Sequence, residues 1–135
     1  LYIPQSDILF NRISFPNNFS SHVVPPGKSS VLVEITCNYL DDIWNMDDNE
    51  LMNAVISQLS HLKIIDKSTV IFKQLCRAKY AYVIYDLNYK HNIELLYKYF
   101  QDIGVDLVGR FSEFKYLNMD GCIRSAIDYV ERVYI

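Results

Sequence analysis

The chain contains no Gly-x-Gly-x-x-Gly turn, the tight loop that brings a dinucleotide pyrophosphate against a helix start. With only four glycines it has few positions where backbone could approach a phosphate closely. Its three cysteines, Cys37, Cys76 and Cys122, are an odd number without Cys-x-x-Cys spacing, which speaks against a disulfide framework and a zinc knuckle. His22, His61 and His91 lie far apart, with no metal-binding spacing. Positive charge is also short. Thirteen Lys and Arg against sixteen Asp and Glu leave a net charge of −3, without the basic excess a nucleic-acid surface needs. No apolar run approaches the roughly 20 residues of a membrane helix. No basic start followed by an apolar centre marks a signal peptide. A reducing, cytoplasmic setting is expected. The chain opens Leu-Tyr-Ile-Pro without an initiator methionine and reads as a piece of a longer protein.

What is present is ample apolar material, 50% of 135 residues, with eleven tyrosines and seven phenylalanines. That suffices for one core. Ile8 to Phe15 alternates as a strand, ended by Pro16 and two asparagines. After the turn-rich Ser20 to Ser30, the residues Val31, Val33, Ile35 and Cys37 alternate as a second strand, expected antiparallel to the first across a long connection. Asp47 and Asp48 open a helix over 48–62, with Leu51, Val55, Leu59 and Leu62 as its apolar stripe. Thr69 to Leu75 and Tyr80 to Leu87 are β-branched and aromatic, and predict two more strands. Ile93, Leu96, Tyr97 and Phe100 mark another helix, stopped by Gly104. A short strand, Asp106 to Val108, follows. The expected class is α+β, with a largely antiparallel sheet and helices packed on it.

The most informative run is GRFSEFKYLNMD, Gly109 to Asp120. A glycine, a permanent cation, aromatics and the helix-start residue Asn118 come together ahead of Ile123, Ala126, Ile127 and Val130 at helical spacing. Amides near Met119 and Asp120 are expected to point outward, favouring an anion or an electron-rich ring atom.

This run resembles the C-terminal flavin-contacting motif of the FAD-dependent amine oxidase and protoporphyrinogen oxidase superfamily, which includes the UDP-galactopyranose mutases. Gly109, Arg110, Phe111, Phe114, Tyr116, Asn118, Met119 and Asp120 fall in place, and Ser112 stands where the family has glycine. Tyr2-Ile3-Pro4 with Phe10 to Pro16, Pro26 to Ser30 with Val33-Glu34, and Tyr80 to Tyr85 resemble further family segments, Val83 replacing a usual proline. The resemblance implies a fragment of a two-domain, Rossmann-type flavoprotein lacking its dinucleotide-binding turn. Residues 1–104 would be part of a substrate-binding domain, and 105–135 would return to the FAD domain. Gly109, Arg110, Asn118, Met119 and Asp120 are then expected to contact FAD, with Arg12, Tyr82, Tyr85 and Tyr116 near a small-molecule substrate such as a nucleotide sugar. The implied partner is the missing N-terminal FAD-binding domain of the same protein. The implied parent is an oxidoreductase or a mutase-like isomerase, and the isolated chain is expected to be inactive.

Plainer readings stand beside these. Arg110 could pair with a carboxylate such as Glu113, and the tyrosines could be half-buried packing residues. Arg12, projecting with Phe10 from one strand face, could lie over apolar surface. A non-catalytic α+β binding or protein-interaction module is the alternative from another class.

Overall fold

The computed structural model describes all residues from 1 to 135. It is a small α+β protein with four helices and a two-stranded antiparallel sheet, dividing into two compact units, Leu1–Arg77 and Ala78–Ile135. The functional boundary expected at 104/105 concerns which parent domain each part would join, and falls inside the second unit.

In the first unit, strands β1 (Arg12–Ser14) and β2 (Leu32–Glu34) pair antiparallel with Arg12 opposite Glu34, Ile13 opposite Val33 and Ser14 opposite Leu32. Antiparallel pairing across a long connection is as expected. The strands are shorter than their alternating sequence suggests. Because pairing begins only at Arg12, the alternation does not reach back to Phe10, and Phe10 and Ile13 both enter the core while Arg12 stays half-exposed. The N-terminal residues extend the ladder, Leu1 exchanging backbone hydrogen bonds with Ile13 and the Ile3 N–H donating to the Asn11 carbonyl.

A short helix α1 (Asp42–Asn45) precedes α2 (Asp48–His61). The Asp47 carboxylate caps α2 by accepting from the Asn49 and Glu50 amides at 2.9 and 3.1 Å, and Asp48 and Glu50 suit the positive end of the helix dipole. Leu51 and Leu59 are buried from α2. Leu59 packs with Phe10 and Ile13, ringed by Ile3, Ile8, Phe15, Val31, Val33, Ile35, Val55, Leu62, Ile64 and Ile65. The Gln58 amide ties α2 to the segment before β1, accepting from the Leu9 N–H at 2.8 Å and donating to the Asp7 carbonyl at 3.1 Å. Arg77 binds the junction of α1 and α2, donating to the Trp44 and Met46 carbonyls at 3.0 and 2.7 Å and to the Asp48 carboxylate.

The second unit is built on α3 (Tyr89–Asp102) and α4 (Met119–Tyr134). Ile93, Tyr97 and Phe100 form the half-buried face of α3, while Leu96 is exposed. Gly104, at φ 73°, ends α3 as expected: its N–H reaches the Gln101 carbonyl and the Val105 N–H the Phe100 carbonyl, satisfying two orphan acceptors.

Three expected strands are absent. Thr69 to Leu75, Tyr80 to Leu87 and Asp106 to Val108 join no ladder, and the largely antiparallel sheet reduces to one pair plus a bridge at Tyr2. β-branched and aromatic residues suit a pleated surface, but a strand exists only where a partner supplies hydrogen bonds, and propensity does not create one.

Candidate functional site

Gly109 to Asp120 forms a tight loop in the second unit. Its first residue has φ 90°, accessible to glycine without strain, and Phe114 adopts a left-handed φ of 49°, which is unfavourable for a side chain of its size. That conformation is held by several fixed contacts. The Tyr97 hydroxyl donates to the Glu113 carbonyl at 2.8 Å, the Tyr89 hydroxyl donates to the Phe114 carbonyl, and the Tyr116 N–H donates to the Tyr85 hydroxyl oxygen at 2.5 Å. Partial burial raises the Tyr97 hydroxyl's pKa above the usual tyrosine value.

Glu113 is the loop's anionic centre. Its carboxylate accepts from the Gly109 N–H at 2.9 Å, from Lys115 Nζ at 2.8 Å and from the Ser125 hydroxyl on α4. Partial burial pulls its pKa upward, but the hydrogen bonds from Lys115, Ser125 and Gly109, with the Lys115 charge, outweigh that and hold it at about 2.

Arg110 does not pair with Glu113. One guanidinium nitrogen donates to the Leu117 carbonyl at 3.0 Å, and the group lies against three rings, with its central carbon 4.5 Å from the Tyr116 centroid, 5.4 Å from Tyr82 and 5.8 Å from Phe111. Tyr82 and Tyr116 are near-parallel, 5.9 Å apart. The Arg110 Nε is buried and has no hydrogen-bond acceptor. The result is a cation set among exposed aromatic faces, an arrangement suited to a flat, electron-rich or anionic group.

The start of α4 adjoins it in sequence. Asn118 occupies the N-cap position with extended backbone, yet its side chain makes no capping bond. Its carbonyl accepts from the Cys122 N–H at 3.0 Å. Met119 and Asp120 are exposed at the open helix start, where first-turn amides have no intrahelical acceptor.

Gly109, Arg110, Tyr82, Tyr85, Tyr116, Asn118, Met119 and Asp120 thus all belong to the second unit, and Arg110, Tyr82 and Tyr116 are in mutual contact. Tyr85 serves the loop through its hydroxyl and packs edge-on against Tyr89 at 4.6 Å. Arg12 belongs to the first unit. Its guanidinium makes two parallel bonds to Glu34, at 2.8 and 2.5 Å, and lies 5.9 Å from the Tyr2 centroid, so its charge is already paired. Hydrogen bonding to Glu34 raises its pKa further.

Glu113, Tyr89 and Tyr97 support the loop but carry no motif signal. The spacing of Glu113, four after Gly109 and two before Lys115, is compatible with its contacts there. Those to Tyr97 and Ser125 span 16 and 12 residues, and only the fold joins them.

No family model, curated protein or solved structure matches the chain. No helix is long and apolar enough to cross a membrane.

Proposed function

We propose that the chain supplies one wall of a divided site for a flat, anionic aromatic cofactor, FAD. The other wall would come from an N-terminal domain of a parent FAD-dependent oxidoreductase or UDP-galactopyranose mutase-like isomerase. The observation that carries this reading is Arg110 among Tyr82, Phe111 and Tyr116, on the loop leading into the uncapped start of α4. The donor set fits: a guanidinium and helix-start amides for negative charge, ring faces for a planar heterocycle.

The flavin, when bound, supplies the redox or nucleophilic chemistry. Arg110 would hold positive charge beside it, the Met119 and Asp120 amides would face it, and Gly109 would permit the loop's turn. Tyr82 and Tyr116 would position a small-molecule substrate, a nucleotide sugar in the mutase branch, with Tyr85 fixing the Tyr116 backbone. Residues 1–104 would belong to the substrate domain of a cytoplasmic flavoprotein, and 105–135 would return to the FAD domain.

A second reading, a non-catalytic protein-interaction module, is favoured by the Arg110 bond to its own Leu117 carbonyl, which directs part of the guanidinium inward. Purifying the intact natural gene product and measuring flavin absorbance separates the two. The flavoprotein reading expects bound FAD, with Arg110→Met weakening it by about tenfold or more. An intact product that neither carries nor takes up FAD overturns it. The 135-residue chain alone is expected not to bind FAD at micromolar concentration. Binding by the chain alone would overturn the divided site.

A further inference from the structure

Helix α4 is inverted relative to an ordinary surface helix. Its half-buried positions Cys122, Ser125 and Tyr129 are polar or small, and two of them are hydrogen-bonded inward, Ser125 to Glu113 and Tyr129 to Asp106 at 2.8 Å. On roughly the opposite side stand Ile123, Ile127, Val130 and Tyr134, which are 62%, 42%, 47% and 75% exposed. Their spacing of four, three and four residues is the seam of a two-helix coiled coil. A surface helix normally turns such a stripe to the core.

One flank of the stripe is charged. Arg124 and Glu131 lie seven residues apart on the same side, close enough that the guanidinium reaches within 3.9 Å of the carboxylate while pairing with Asp128 at 2.7 Å. Seven residues is two turns, so both occupy the same flanking position. In an antiparallel pair of identical helices that position meets itself, which sets Arg124 of each copy against Glu131 of the other. A parallel pair would set this flank against the one carrying Ala126 and Val133, with no charge to meet it.

We propose that α4 pairs antiparallel with α4 of a second copy of this chain, about a two-fold axis. Ile127 packs on Val130 across the axis, Ile123 opposes Tyr134, and two Arg124–Glu131 couples close the same flank. A closed pair of this kind is self-complementary and stops at two chains. The hydrophobic seam supplies attraction, and the charges select the antiparallel arrangement over the parallel one.

Sedimentation of the full chain over a range of concentrations tests this. The wild type is expected to reach twice its 15.8 kDa mass as concentration rises. Ile127→Glu is expected to remain single. Arg124→Glu gives a wholly acidic flank and Glu131→Arg a wholly basic one, so each alone is expected to self-associate roughly tenfold more weakly or worse. Mixed in equal amounts, they are expected to recover a two-chain species, which pairing within one helix cannot produce. Both positions are largely exposed, and unchanged far-ultraviolet dichroism checks that the variants fold. A wild type that stays single at every concentration overturns the proposal and leaves the stripe to a different domain. A mixture no tighter than either variant alone overturns the antiparallel pairing. None of these results depends on FAD.

Discussion

Leu1–Arg77 buries Phe10, Ile13, Leu51 and Leu59, whereas no side chain of Ala78–Ile135 is comparably enclosed. The first unit is held by apolar burial around α2 and the β1–β2 pair. The second relies on hydrogen bonds between tyrosine hydroxyls and loop backbone and on the Glu113 carboxylate, while leaving Ile123, Ile127, Val130 and Val133 in solvent. Apolar burial contributes on the order of 25 cal/mol per Å², and a typical intramolecular hydrogen bond only about 1 kcal/mol net. The second unit carries nine of the eleven tyrosines, and the two stretches differ in what they need. The first can stand on its own core, and the second gains by covering its open face.

The largest effect that would sharpen this contrast is expected at Phe10. Phe10→Ala should destabilise the first unit by about 3–5 kcal/mol through a core cavity, measured by denaturant unfolding followed at Trp44, the single tryptophan and a reporter of that unit alone. Tyrosine signals from the second unit should keep their own transition. If both move together, the two units unfold as one and the contrast fails.

Acid should act on the second unit through Glu113. A carboxyl held at about 2, against 4.5 ordinarily, contributes stability that is fully present above pH 4.5 and is lost as pH falls toward 2. The expected loss is on the order of 2 kcal/mol. An NMR titration of the Glu113 carboxyl, with the Gly109 amide shift, checks it. Titration near the ordinary value would remove Glu113 as the loop's anchor.

Gly109→Ala should cost the loop about 1–2 kcal/mol, because the left-handed φ disfavours a Cβ although there is open space for one. Hydrogen exchange of the Tyr116 amide would read the loss locally. The smallest effect is a gain. Lys63 occupies the left-handed position that ends α2, with its N–H on the Ser60 carbonyl and the Ile64 N–H on the Leu59 carbonyl, so Lys63→Gly should stabilise the first unit by roughly 1 kcal/mol. A Trp44-followed midpoint that does not rise would show that the end of α2 is not strained.

Elements whose cause is local were readable in advance. The Asp47 cap and the Leu51 and Leu59 stripe define α2, Gly104 stops α3, and Asn118 marks the first turn of α4. Strands were readable only where a partner existed. Val31 to Cys37 has β1 to pair with, whereas Tyr80 to Leu87 has equal propensity and no ladder. At the candidate site, Gly109 and Arg110 stand out in the sequence. The contact of Arg110 with Tyr82, 28 positions away, does not, nor does the hold of Tyr97 on the Glu113 carbonyl.

The sequence by itself determined α2, α3 and α4, the Asp47 cap, the glycine stop after α3 and the α+β class, because each follows from dihedral preference and from hydrogen bonds spanning a few residues. Only the tertiary structure decided that Arg12 would be taken by Glu34, that Arg110 would face aromatic rings in place of Glu113, and that α4 would turn Ser125 and Tyr129 inward and its isoleucines outward. Those outcomes depend on which distant groups compete for the same charge or surface. Residue types along a chain set what a side chain can do, and packing among segments far apart in sequence sets which of those options it takes.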